Sequence, residues 1–119
     1  MDWHFNNEKP IYIQITEKIK TDIVCGVYEP NAKIPGVREL AFEASVNPNT
    51  MQRAMRDLEA EGLLVTQGTN GRFVTEDQQL ISQARQTLIK EYADEFIKKC
   101  KKFGLSDSEI SKLILKGEI

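Results

Sequence analysis

Val37-Arg38-Glu39-Leu40-Ala41-Phe42-Glu43-Ala44-Ser45-Val46-Asn47-Pro48-Asn49-Thr50-Met51-Gln52-Arg53-Ala54-Met55-Arg56-Asp57-Leu58-Glu59-Ala60-Glu61-Gly62 is the stretch on which the fold turns. Its first part predicts a short helix from Val37 to Ala44, with Val37, Leu40 and Ala41 spaced to face inward and Arg38, Glu39 and Glu43 left outside. Ser45-Val46-Asn47-Pro48 breaks that helix, and Asn47 followed by Pro48 supplies an N-cap and a first-turn residue for the next one. The second helix runs to about Glu61 on an inward stripe of Met51, Ala54, Met55 and Leu58, and Gly62 ends it. Asn49, Thr50, Gln52, Arg53 and Arg56 are left toward solvent.

Upstream, Ile11, Ile15, Ile19 and Ile23 recur every fourth position, which predicts a helix from Pro10 to Val24 with Gly26 as its stop. Residues 28–36 are too rich in turn formers for a helix and read as a loop, with a very short strand at Lys33 and Ile34. Downstream, residues 63–67 and 72–75 read as two strands around a Gly68-Thr69-Asn70-Gly71 turn carrying the Asn-Gly hairpin signal. A long helix is expected from Glu76 to about Lys102, with Ala84, Leu88, Tyr92, Phe96 and Cys100 on one line. Ser106-Asp107-Ser108-Glu109 then starts a last helix with a capping box.

Three helices followed by a two-stranded hairpin, with about three residues between the second and third helix, is the layout of a winged helix-turn-helix. The expected fold is therefore mainly α with a small β-hairpin. Residues 1–75 form the winged helix-turn-helix and residues 76–119 a helical dimerisation tail. Leu88, Tyr92 and Phe96 are the expected dimer contacts, because the tail has little core of its own to cover them.

At 119 residues, with 40% hydrophobic and 29% charged residues, the chain suits one globular domain with an appendage and excludes a disordered or collagen-like protein. No apolar run approaches the ~20 residues of a membrane helix. Met1 to Glu8 carries acidic residues and does not read as a signal peptide, so a cytoplasmic location is expected. Sixteen basic residues against 18 acidic ones give a net charge of −2, and neither half of the chain is basic: 8 basic and 10 acidic residues precede the Thr75 cut, 8 of each follow it. An anionic partner must be met by a local constellation, not by a general field. Cys25 and Cys100 lie outside any metal or redox spacing and read as two packed, reduced thiols; His4 stands alone, and neither a metal nor a cofactor is expected. Trp3 and Phe5 are expected to cover part of the core or of a partner subunit. There is no phosphate loop, no HExxH and no nucleophile with a histidine at hand, so the chain does not read as an enzyme.

The later helix of a helix-turn-helix presents its first turns to base edges in the major groove of double-stranded DNA. Arginine can bond guanine O6 and N7 in a bidentate fork, and glutamine or asparagine can do the same to adenine. Gln52 and Arg53 are thus the main candidates for base readout, with Asn49 and Thr50 beside them. Arg56, one turn later, either holds a phosphate or pairs with a nearby acid. Asn47 and Pro48 start a helix whose N-terminus can serve as a phosphate site, besides simple capping.

These blocks resemble the GntR family of bacterial transcription regulators. Its opening run appears as Pro10-Ile11-Tyr12-Ile13-Gln14-Ile15, its arginine block as Ile34-Pro35-Gly36-Val37-Arg38-Glu39-Leu40-Ala41, and its recognition helix as Val46-Asn47-Pro48-Asn49-Thr50-Met51-Gln52-Arg53-Ala54. Leu58 to Leu63 and a wing ending in Phe73-Val74 complete the match, and Val-Asn-Pro-Asn-Thr with a short tail is similar to the YtrA-type subfamily. The resemblance implies a homodimeric repressor on a pseudo-palindromic operator and makes Arg38 a DNA-contacting arginine, against the plainer role of an ion pair with Glu39 or Glu43. Two positions depart from the pattern. Gly36 replaces a serine, and Arg72 is the wing's only cation, where the family has several. A small-molecule effector would bind between tail and DNA-binding half or across the dimer. The competing class is a winged-helix protein-interaction module without specific DNA binding, which the near-neutral charge and weak wing favour; loss of DNA retention with salt separates the two.

Overall fold

A computed structural model describes residues 2–118. Its elements are α1 (Ile11–Val24), α2 (Val37–Ala44), α3 (Pro48–Ala60), β1 (Leu64–Thr66), β2 (Arg72–Val74), α4 (Gln78–Lys102) and α5 (Asp107–Lys116). The strands pair antiparallel, with Leu64 opposite Val74 and Thr66 opposite Arg72. This is a winged helix-turn-helix followed by C-terminal helices.

The core is made by the stripes that the sequence periodicity singles out. Ile15, Ile19 and Ile23 of α1, Leu40, Ala41 and Ala44 of α2, and Met51, Ala54, Met55 and Leu58 of α3 are all buried, with Leu63, Leu64 and Val74 of the hairpin closing the cluster. Trp3 and Phe5 stack on each other and pack against this same core. The loop after α1 is fastened to the helix end, where the Asp22 carbonyl accepts from the N–H groups of Val27 and Tyr28. Burial, then the nearby Asp22 and Glu43 carboxylates, raises the Tyr28 phenol above its ordinary pKa.

The short strand expected at Lys33 and Ile34 is present as a single bridge, Lys33 to Phe73. It is held by Ile34 N–H to the Arg72 carbonyl at 3.0 Å and Val74 N–H to the Ala32 carbonyl at 2.8 Å. The loop before α2 therefore forms a third edge of the wing. The hairpin turn closes by Asn70 N–H to Gln67 O and Gln67 N–H to Gly71 O, both 2.9 Å. Left-handed backbone falls at Gly68 and Gly71, not at Asn70, so the Asn-Gly pair is not the central pair of a two-residue turn.

By contact density the chain divides into two compact units, one ending at Arg85 and the other beginning at Gln86. The boundary expected after Thr75 lies ten residues earlier, and the difference has a packing cause. Leu80, Ile81 and Ala84 lie against the core of the first unit. Gly62, at φ +81°, permits this approach: a Cβ there would stand 3.0 Å from the Leu80 side chain. Thr75 and Asp77 set the start of α4, the Asp77 carboxylate accepting from the N–H groups of Gln79 and Leu80 at 3.1 Å.

In the second unit, the capping box of α5 is formed in both directions: the Glu109 carboxylate accepts from Ser106 N–H at 2.9 Å and Ser106 Oγ accepts from Glu109 N–H at 3.2 Å. The Ser106 backbone bond, then its hydroxyl, holds the Glu109 carboxyl below its ordinary pKa. Cys100 is half-buried. Cys25 is exposed at the end of α1, so of the two thiols expected to pack, this one does not. No helix among the described residues is long and apolar enough to cross a membrane.

Candidate nucleic-acid interface

Two helix ends and one turn present the outward residues of the helix-turn-helix. Ser45 stops α2 in the left-handed conformation at φ 57°, and Val46 N–H returns to the Ala41 carbonyl at 3.0 Å, which turns the chain within three residues. Asn47 then caps α3, its Oδ1 accepting from Asn49 N–H at 2.8 Å while its carbonyl takes Thr50 N–H at 3.0 Å. Pro48 has no N–H to offer. The first donors of α3 are thus already bonded within the chain, leaving the helix dipole and the Asn49 and Thr50 side chains at that end.

The burial of Met51, Ala54, Met55 and Leu58 fixes the rotation of α3. At about 100° per residue, Asn49, Gln52, Arg53 and Arg56 then share roughly 100° of arc on the opposite face, with Thr50 about 60° beyond it toward the buried stripe. Asn49, Arg53 and Arg56 are exposed, and Gln52 and Thr50 are half-buried. Arg53 is not free to sweep that face. Its guanidinium carbon lies 3.6 Å from the centroid of the Tyr12 ring, so α1 carries a platform for the arginine of α3.

Arg38 sits exposed in the first turn of α2, in neither of the ion pairs weighed for it. The N-cap of α2 is Gly36, and no side chain caps the helix, as expected where serine's hydroxyl is missing. Arg72 is placed differently from the sequence expectation: its Nε donates to the Glu59 carboxylate near the end of α3. Lys33, which sequence reading passed over, lies against the wing instead. A groove of about 390 Å³ runs between the loop before α2 and the wing, lined by Lys33, Gly36, Thr66, Asn70 and Arg72 among others.

The ion pairs of the first unit sort its cations. Lys9, Lys18, Lys20 and Arg72 are bound to Glu17, Asp22, Glu61 and Glu59. Among the described residues, the unit's other cations, Lys33, Arg38, Arg53, Arg56 and Arg85, have no carboxylate within ion-pair distance, and the first four of them fall in the segment from the bridge to α3; in the second unit Lys98, Lys102 and Lys116 are unpaired as well. Only the three-dimensional pairing separates these two groups.

Of the residues expected to make a dimer, Tyr92 and Phe96 are exposed at 58% and 43%, while Leu88 is buried at 8%. Its neighbour Ile89 is 52% exposed. A four-residue repeat drifts about 40° per step around a helix, whereas steps of three and four cancel, so Ile89, Tyr92 and Phe96 make the straighter stripe.

The family model described as "Bacterial regulatory proteins, gntR family" matches residues 11–74. The HTH-type transcriptional regulator YhcF of Bacillus subtilis is 36% identical over 92% of this chain and 91% of its own length. The HTH-type transcriptional repressor YtrA of the same organism is 36% identical over 74% of this chain and 68% of its own. A solved GntR family transcriptional regulator from Listeria monocytogenes superposes with a TM-score of 0.85 at 38% identity, covering 94% of this chain and 98% of that one. The DNA-binding domain of AraR, solved in complex with operator, superposes at 0.58 with 31% identity, covering 63% of this chain and 96% of that one.

Proposed function

Because the chain belongs to the GntR family of bacterial regulatory proteins, in a YtrA-like branch of it, we propose that it is a cytoplasmic repressor that binds a pseudo-palindromic operator as a homodimer. The observation that carries this reading is the grouping of four cations without a carboxylate partner, Lys33, Arg38, Arg53 and Arg56, within the 24 residues from the bridge through α3 of a chain whose net charge is −2. A local positive constellation on a chain without net positive charge attracts a phosphate backbone to that face.

In this reading Gln52 and Arg53 read base edges, with Asn49 and Thr50 at the same groove wall. Arg38 and Arg56 hold phosphates, and Asn47 and Pro48 aim the helix end at the backbone. The homodimer rests on the second unit. Ile89, Tyr92, Phe96, Phe103, Ile114 and Leu115 are all more than 40% exposed there, and burying each is worth roughly 1.5–3 kcal/mol. Linking two DNA-binding halves raises affinity for paired half-sites about one helical turn or a multiple apart. A small-molecule effector acting on that dimer would alter the spacing of the two halves.

The experiment is selection of duplexes from a random pool by the full-length chain. A two-fold symmetric motif is the expected result. Exposure of Phe42 at 87% on α2 favours the second reading, a protein-docking module. Recovery of no motif, with no retention on DNA even at low salt, would favour it over the first.

A further inference from the structure

We propose that Lys33, and not Arg72, is the cation with which the wing meets the DNA backbone, and that Arg72 is a strut tying the wing to the recognition helix. The inference rests on the DNA-binding reading and names a residue that the sequence pattern does not bring forward, since Lys33 lies 39 positions before Arg72 and outside the hairpin.

Three observations carry it. First, the only arginine of the wing is occupied. Arg72 Nε donates to Glu59 Oε1, and both side chains are largely covered, at 21% and 30% exposure. A cation already neutralised by a carboxylate releases no counterion on meeting a phosphate unless that pair is first broken. Second, Lys33 is bound into the wing by its backbone. It bridges Phe73, and its neighbours Ala32 and Ile34 bond Val74 and Arg72 on either side. Its position relative to the turn is therefore fixed by β2 itself. Third, its side chain runs across Gly71. A Cβ at Gly71 would stand 3.1 Å from Lys33 Cε and 3.8 Å from Nζ, so the absence of a side chain there leaves the track along which the lysine stem lies. Gly71, at φ +109°, thus serves the turn and the lysine together.

The ammonium is carried to the mouth of the groove that Gly36, Thr66 and Asn70 also line. Lysine suits this place, because a compact charge on a flexible stem follows a phosphate without demanding a planar partner. The strut has its own consequence. Glu59 belongs to α3 and Arg72 to β2, so the pair ties the wing to the recognition helix, while the place of Lys33 on the wing is set by backbone bonds to β2 that do not involve the Arg72 side chain.

The test is the salt dependence of binding to a fluorescein-labelled random-sequence duplex, read by anisotropy with the full-length chain. Each neutralised phosphate contributes about −0.9 to the slope of log K against log salt. Lys33→Gln should therefore flatten the slope by about 0.9, Lys33→Arg should restore it, and Arg72→Gln should leave it unchanged. A thermal melt accompanies Arg72→Gln, so that a lost fold is recognised as such; the exposed Lys33 keeps the test independent of that variant. A slope unaltered by Lys33→Gln, or one flattened by Arg72→Gln in a folded protein, overturns the assignment while leaving DNA binding intact. A wild-type chain that does not bind the duplex overturns the DNA-binding reading and this assignment with it.

Discussion

Tyr12→Leu removes the ring on which Arg53 rests and keeps an apolar body in the half-buried position. The contact at 3.6 Å lies well within the range of a cation over an aromatic face, and because Arg53 is exposed the interaction is worth about 0.5–1 kcal/mol. A double-mutant cycle with Arg53→Ala, followed by urea denaturation, should return a coupling of that size. The larger effect is expected in operator binding. An arginine parked on a ring has surrendered most of its rotamer freedom before DNA arrives, whereas a freed one loses it on binding, at about 0.5–1.5 kcal/mol. Tyr12→Leu should therefore weaken operator binding by roughly twofold to tenfold, since 1.4 kcal/mol is a factor of ten. Arg53→Ala should cost about 1–3 kcal/mol and relax selection at one base position. In the Arg53→Ala background, Tyr12→Leu should then change nothing further. Equal losses from Tyr12→Leu with and without Arg53, measured by anisotropy on the selected operator, would refute the claim that α1 preorganises the reading arginine.

Asn47→Ala should lower stability by about 1 kcal/mol in urea denaturation, because it strips the acceptor from Asn49 N–H and leaves the start of α3 uncapped. The contribution of Glu109 to α5 is complete above about pH 4.3, the ordinary glutamate value, and is lost as pH falls through its lowered folded value. Protonation weakens the acceptor, so the protection of Ser106 N–H against exchange, taken relative to the intrinsic rate at each pH, should fall on acidification, and Glu109→Gln, which keeps an acceptor but cannot titrate, should abolish that dependence of the protection. A chain ending at Arg85 should sediment as a folded monomer while the full chain sediments as a dimer; a cut at Thr75 should be less stable, because it strips Leu80, Ile81 and Ala84 from the core.

What was legible in the sequence is what a chain decides over a few residues. The Asn47-Pro48 start of α3, the Ser106 to Glu109 capping box and the inward stripe of Met51, Ala54, Met55 and Leu58 depend on separations of four or less between neighbours. Helical period and cap chemistry fix them before any tertiary contact forms. The unit boundary was missed because α4 continues without interruption through Arg85. Nothing in its local pattern says which of its turns lie on the core below. Asp22, buried at 4% beside Ile23 on a helix read from its isoleucines alone, was missed for the same reason.

The candidate site divides along the same line, and the division explains why charge composition misleads here. A count of Lys, Arg, Asp and Glu treats every cation as available to a partner. In the folded unit, Lys20 meets Glu61 across 41 positions and Arg72 meets Glu59 across 13, so pairs that no sequence window brings together withdraw cations lying outside the helix-turn-helix segment. Arg53 is held by Tyr12, also 41 positions away, without being neutralised, because a ring face lowers the energy of a cation and leaves its charge in place. Glu59 and Glu61 thus neutralise two cations of the first unit that lie outside that segment. Removing Glu59 or Glu61 would raise the net charge, yet it would add affinity at the wrong places, and a binder with more charge would discriminate less.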